Sequence, residues 1–273
     1  MRIIDPGKIG MRRLGIGASI VIVLLLVFSL ALAQGRGGAA QSKTSSLPFD
    51  PRDFSGVWGT GAGGAGGGGG NGGAPAEPPM TAWGLEHYKL ARTNSSNPPA
   101  TGKDDNDPIL RCEPPGIPRL YSGYVHPIAY MMDKDKVVQL WEADSLFRIF
   151  YLNRKQHPEH PDATWFGDSI AHWEGNTLVV DTTDFNDRTW LDVQGHPHSD
   201  QLHLIERIAR IDHDHMQVDL TIDDPIAYTK PWNVRKMFHL DPASYEFEEY
   251  VCSPTDEAEV INKVMEPESV PKK

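Results

Sequence analysis

From position 124 onward, apolar and polar residues alternate with the two-residue period of half-buried strand, and short polar phrases interrupt the alternation. The runs 137–141 and 146–152 are separated by Glu142-Ala143-Asp144, and Asp133-Lys134-Asp135-Lys136 turns the chain ahead of them. Across 164–174 the alternation sets Asp168, Ile170, His172 and Glu174 on one face and Ser169, Ala171 and Trp173 on the other. Gly175-Asn176 is a two-residue hairpin signal that joins this strand to 177–183. Segments 202–211 and 216–222 flank a further polar turn, Asp212-His213-Asp214-His215, and 232–240 and 245–251 complete the series. Successive hairpins without a helix-length apolar pattern between them predict an all-β fold, an antiparallel meander of roughly eight to ten strands. A closed or half-closed barrel is the most economical way for such a meander to hide its edges.

Upstream of the meander the pattern is broken. Asp53-Phe54-Ser55-Gly56-Val57-Trp58 is a short strand signal, and its Gly-x-Trp step looks like the start of the first strand in lipocalin-type barrels, where the Trp closes the barrel floor. Arg207 is the residue expected to cover that Trp. Residues 80–92, following Pro78-Pro79, carry Trp83, Leu85, Tyr88 and Leu90 and predict one short helix. The stretch 94–118 is rich in Pro, Asn and Asp and predicts an ordered but irregular surface crossing that carries Cys112. Residues 59–73 are mostly glycine. No Lys-Ser/Thr follows them and no strand-to-helix context brackets them, so they read as a flexible insertion rather than a phosphate-binding loop.

The chain start changes the compartment. Arg12-Arg13 precede an apolar run over 14–32, and Ala31-Leu32-Ala33 supplies a cleavage pattern. Residues 1–33 therefore read as a signal peptide, with an uncleaved anchor as the alternative because the run is about long enough to span a bilayer. A tether (34–46), a single barrel-like domain (47–265) and a short tail (266–273) follow, in a periplasmic or secreted protein. Cys112 and Cys252 are the chain's two cysteines, and an oxidising compartment favours their disulfide. The formal net charge of −11 argues against nucleic acid and anionic membrane surfaces as partners, since both require basic patches. What remains is a small-molecule ligand, with membrane contact only through an uncleaved signal segment.

Several phrases carry a resemblance. Asp-Phe-Ser-Gly-Val-Trp (53–58), Cys112-Glu113-Pro114-Pro115-Gly116, Trp173-Glu174-Gly175-Asn176-Thr177-Leu178-Val179-Val180-Asp181-Thr182, Gly195-His196-Pro197-His198-Ser199, and Asp224-Pro225 with Pro231-Trp232 resemble a large group of exported bacterial proteins. The resemblance spans nearly all of the chain after the signal. It implies a lipocalin-like barrel and brings no activity with it.

Candidate chemistry concentrates between His157 and Trp232, where most of the eleven histidines lie. The phrase 186–199 has neither helical nor strand period although strongly periodic strands bracket it, and such segments on a rigid sheet often carry function. His196 and His198 form a His-x-His pair that, with His203 as a third ligand, could hold a divalent metal; otherwise no cofactor is expected. Pro197 inside the pair and the distance to Glu206 depart from the cupin pattern. The metal-free reading makes His198 an acid/base group beside Glu206, Asp181 or Asp168, as in a lyase, isomerase or hydrolase. Trp190, Tyr228 and Trp232 would line a pocket for a ring-bearing ligand, with His196 and Asn186 as polar contacts. The alternative is a non-catalytic binding protein of lipocalin type. His157 and His160 read as a Pro-rich surface loop, and His213 and His215 as a solvated hairpin tip.

Overall fold

The computed structural model describes residues 47–59, 77–93, 95, 99–100, 104–123 and 126–253. The expected signal segment, tether and tail, and residues 60–73 of the glycine tract, lie outside these. Nine strands close into one barrel in chain order: β1 (Gly56–Gly59), β2 (Ile128–Met132), β3 (Lys136–Trp141), β4 (Phe147–Tyr151), β5 (Asp168–Glu174), β6 (Thr177–Thr183), β7 (His203–Arg210), β8 (His215–Asp223) and β9 (Trp232–Leu240). The all-β closed barrel is thus the one the alternation predicts.

The alternation in sequence becomes the two faces of the wall. On β8, Met216, Val218, Leu220 and Ile222 are buried while the residues between them are half-buried. Each such apolar side chain taken from water contributes about 1.5–3 kcal/mol. Gly175-Asn176 makes the expected tight hairpin and pairs Glu174 with Thr177. Gly175 stands at φ +61° where an added Cβ would meet nothing, so the turn's backbone conformation, rather than lack of space, calls for glycine.

The meander breaks once. β4 and β5 run parallel, with Phe150 beside Ser169 and Tyr151 beside Ile170, so residues 152–167 must carry the chain back along the barrel. That stretch begins with the non-alternating polar phrase Asn153-Arg154-Lys155-Gln156-His157-Pro158, whose proline cannot donate to a ladder. It lies against the outer wall instead, where His157 bonds both Asp168 and Asp181.

Residues 245–251, expected as a strand, are not one. β9 already pairs with β1 through Trp58–Leu240 and Gly59–His239, which leaves no edge for a tenth strand. The segment docks through Glu142, whose Oε1 accepts hydrogen bonds from Tyr245 Oη and Glu248 N, both at 2.8 Å. It delivers Cys252 to Cys112, and the disulfide closes a span of 140 residues. Closure of so long a loop contributes about 4–5 kcal/mol in the chain-entropy picture.

The expected helix is present as α1 (Ala82–Leu90), capped by the Thr81 hydroxyl accepting from Gly84 N at 3.0 Å. A second short helix, α2 (Arg119–Gly123), was not predicted. The crossing before it is a surface feature only in part, because Pro108, Pro115, Ile117 and Pro118 are buried and Ile117 joins the core. Proline and asparagine in 94–118 signal irregular backbone, but irregular backbone can enter a barrel when its apolar side chains do. Arg210, not Arg207, covers Trp58, with its guanidinium 5.2 Å from the ring. The pleat dictates this: Arg210 shares the inward face of Glu206, whereas Arg207 points out and reaches Glu174 at 2.8 Å.

Candidate functional site

The segment 186–199 is ordered by contacts with its neighbours. Asn186 N donates to Thr164 O at 2.8 Å, and Asn186 Oδ1 accepts from Arg188 N at 3.2 Å, so Asn186 shapes a turn. Trp190 bridges Pro197, and Leu191 N donates to His196 O at 2.9 Å. Asp224 fixes the far end, accepting from Ser199 N at 2.6 Å and from Ser199 Oγ at 2.9 Å. Tyr228 Oη donates to Pro197 O at 2.8 Å, which makes Tyr228 a strut beneath the loop.

Between this segment and α1 lies an open pocket of about 230 Å³. Its walls include Trp83 and His87 from α1 and Asp187, Arg188, Trp190 and His198 from the loop. Trp83 and His87 stack 3.7 Å apart, so that each ring covers one face of the other. Tyr228, Trp232, His196 and Asn186, named with Trp190 as pocket residues from the sequence, do not line it. Trp232 packs against Tyr228 at 5.5 Å instead.

His198 is buried, and its two ring nitrogens have distinct partners. Nδ1 lies 3.0 Å from Ser199 O, which can only accept, so Nδ1 carries the hydrogen. Nε2 then accepts from Thr189 Oγ1 at 2.6 Å. Burial pushes the imidazole's pKa below its ordinary value, against the opposing pull of the Ser199 carbonyl and of Asp224 and Asp187, so the ring is neutral at pH 7. None of Asp168, Asp181 and Glu206 hydrogen-bonds it, and the expected His198–carboxylate constellation is not assembled.

His196 lives in a different setting across Pro197. Its Nδ1 is 2.6 Å from Asp192 Oδ2, its Nε2 is 3.4 Å from Glu77 Oε2, and its ring stacks on Tyr88 with centroids 4.4 Å apart. Burial disfavours the imidazolium, but Asp192, followed by Glu77, more than offsets this and raises its pKa. His203 is elsewhere again, with Nε2 2.8 Å from Asp181 Oδ1. The three histidines proposed as a ligand set therefore diverge, because proline breaks the strand that would have aligned the first two. Among the described residues, no three His, Cys, Asp or Glu side chains are grouped as a metal site.

The remaining candidates occupy two other places. Glu206 is fully buried inside the barrel, 2.7 Å from Arg148 Nη2 and 2.7 Å from Tyr121 Oη. Gln139 joins them, donating to Tyr121 Oη at 2.7 Å and to Tyr130 Oη at 2.9 Å. Burial alone would lower the Arg148 pKa, but the Glu206 carboxylate raises it, so the guanidinium stays charged. Asp168 and Asp181 face outward on adjacent strands and are brought together by His157, whose Nδ1 and Nε2 lie 2.9 and 3.2 Å from them. Arg154 adds a contact to Asp168 at 3.0 Å. His157 was read as surface loop; two outward acceptors on neighbouring strands, Asp168 and Asp181, were the signal that a side chain from the crossover could bridge them. His213 and His215 are half-buried on Asp214 and Asp212 rather than free in solvent.

Thr189, Trp83 and His87 were missed as site residues. Thr189 lies within the irregular phrase, but nothing in its spacing marks it as the partner of His198. Trp83 and His87 are four apart on a helix and therefore share a face, a pattern that ordinary packing also produces. Comparison of the chain with protein-family models, curated proteins and solved structures finds no match, so function has to be argued from this geometry.

Proposed function

We propose that the protein is an exported, barrel-type binding protein that takes a small, ring-bearing or compact apolar molecule in the pocket between α1 and residues 187–198. The observation that carries this reading is an open pocket of about 230 Å³ walled by Trp83, His87 and Trp190, beside a neutral histidine whose hydrogen bonds are complete. Its aromatic walls offer apolar area at little side-chain entropy cost. Export is supported by the signal pattern and by the Cys112–Cys252 disulfide. The test is calorimetric titration of the full, disulfide-bonded chain with a panel of neutral, cationic and anionic small ring compounds. Saturable binding that Trp190→Ala weakens supports the reading; binding unaffected by both Trp190→Ala and Trp83→Ala overturns it.

A catalytic reading has one observation of its own. Thr189 Oγ1, His198 Nε2 and the Ser199 carbonyl follow the order nucleophile, base and orienting group, at 2.6 and 3.0 Å. In that reading the Thr189 oxygen adds to an activated ester carbonyl as His198 takes the proton, which then leaves with the alcohol. Intact-mass analysis after incubation with an aryl ester should find the acyl group on Thr189. Its absence there leaves binding as the function.

A further inference from the structure

We propose that the ligand of this pocket is an organic cation, an amine or quaternary ammonium with apolar substituents; this rests on the pocket reading above and names its charge. The argument starts from the charges lining the cavity. Asp187 is exposed at the pocket and makes no hydrogen bond or ion pair among the described residues. Arg188, the opposite charge on the same wall, is engaged at its tip: its Nη2 lies 3.4 Å from Glu113 Oε1 and its guanidinium sits 4.4 Å over the Trp165 ring. The pocket therefore presents one carboxylate, Asp187, without a partner among the described residues, and one guanidinium, Arg188, that is stacked on Trp165 and paired with Glu113, a carboxylate it shares with Arg111.

The two imidazoles and the amide at the pocket point the same way. His87 Nδ1 is 2.9 Å from Trp83 O and His198 Nδ1 is 3.0 Å from Ser199 O. Both rings thus direct an N–H at backbone, and in its neutral form each leaves Nε2 as an acceptor, His198's already taken by Thr189. Asn106 is similarly engaged, its Nδ2 donating to Leu90 O and its Oδ1 accepting from Arg92 N, at 2.9 and 2.7 Å. From these three side chains an anion would find few free donors, which leaves Arg188 as its one charged partner on the wall.

The walls favour positive charge as well. Indole faces attract a cation through their quadrupole, and Trp190 already lies 5.7 Å from the Arg119 guanidinium, whose charge is met by Asp107 at 2.8 Å. Leu90 and Ala91, at the carbonyl end of α1, line the same pocket, and that end of a helix carries partial negative charge. The formal net charge of −11 adds a long-range field that draws cations and repels anions.

The experiment compares three probes of one shape on the full chain with its disulfide intact: choline, its uncharged carbon isostere 3,3-dimethylbutan-1-ol, and 3,3-dimethylbutanoate. Choline should bind about tenfold more tightly than the alcohol, and the carboxylate should bind least. Asp187→Asn should reduce the affinity for choline several-fold and leave that for the alcohol unchanged. Because Asp187 has no partner among the described residues, the variant should melt with the parent, and the melt is recorded alongside. Equal binding of choline and the alcohol, tighter binding of the carboxylate, or no binding of choline overturns the cation assignment. The pocket reading falls separately, when no ring compound of the wider panel binds in a manner sensitive to Trp190→Ala or Trp83→Ala.

Discussion

The interior of the barrel and the pocket at its side use the same kinds of residue to opposite ends. Inside, Glu206 and Arg148 form a fully buried pair at 2.7 Å, and Tyr121, Tyr130 and Gln139 add hydrogen bonds around them, leaving only Arg148 Nε of the cluster without a partner among the described residues. In the pocket, Asp187 has no partner among the described residues, and Arg188 reaches Glu113 and Trp165. A buried charge must be satisfied by its own chain, because nothing else can reach it. A charge at an open pocket can remain unsatisfied until a ligand arrives. The fully buried polar cluster is accordingly structural, and the less conspicuous one is where the proposed ligand would sit.

The largest effect should come from breaking the interior. Glu206→Ala strands the Arg148 guanidinium in the core and should cost about 3–5 kcal/mol of unfolding free energy, read by urea denaturation. Replacing both partners together, Glu206→Leu with Arg148→Met, should recover most of that loss, because a well-packed apolar pair needs no charge compensation. Ligand affinity should be retained in the double variant. A double variant that folds yet binds nothing would place the ligand inside the barrel and dissolve the contrast between the two regions.

Next in size is the pocket wall. Trp190→Ala removes an indole face and should weaken ligand binding by about tenfold to a hundredfold. Its stability cost should be smaller than that of Glu206→Ala, since Trp190 is only half-buried.

The difference between these regions also explains what could be read from the sequence. Strand alternation is a local, repeated signal, and it placed β9 at Trp232–Leu240 to the residue and β3 within one residue. The parallel step between β4 and β5 was hidden because the phrase following Leu152 signals only where pairing stops, not which way the chain returns. The missing strand at 245–251 has a similar cause: its residues suit a strand, but closure of β1 onto β9 is a long-range fact that removes the edge. For the site, the irregular phrase 186–199 lies along one side of the pocket, with Trp190 and His198 on its wall. Partnerships were not legible, because those of His198 run to Thr189 and Ser199 within the loop's own turns. His157, which joins Asp168 to Asp181, comes from the crossover itself.

Acidity should separate the two histidines flanking Pro197. His196 has a raised pKa in the fold, so its contribution is fully present below the ordinary histidine value of 6.5 and is lost as pH rises through the raised value. Asp192, lowered despite burial by its bond to His196, contributes above its ordinary 3.8 and loses that contribution as pH falls through the lowered value. His198 works in the other direction. Its pKa is lowered by burial, so below 6.5 the unfolded chain takes up the proton first and stability falls with acidification. Urea denaturation between pH 5 and pH 8, a range set by these ordinary values, should therefore find that His196→Ala flattens the decline above pH 6.5. His198→Asn should flatten the decline below pH 6.5. Identical pH profiles for the two variants would show that the residues share one environment after all.

The smallest expected effect tests the comparison most directly. Asp187→Asn removes a full negative charge from the molecule, as Glu206→Gln does, and both leave side chains of nearly unchanged shape. Glu206 is held by Arg148 and Tyr121, so its replacement leaves a buried guanidinium with a weaker acceptor and should be clearly destabilising. Asp187 has no partner to lose, and the change should shift stability by no more than about 0.5 kcal/mol in either direction. Removing one negative charge from a chain of net −11 should, if anything, relieve repulsion slightly. Thermal melts at low and moderate salt resolve the two cases, since the Asp187 effect should shrink further as salt screens it. A loss with Asp187→Asn comparable to that with Glu206→Gln would make Asp187 part of the fold's own hydrogen bonding and remove the unsatisfied charge on which recognition of a cation depends.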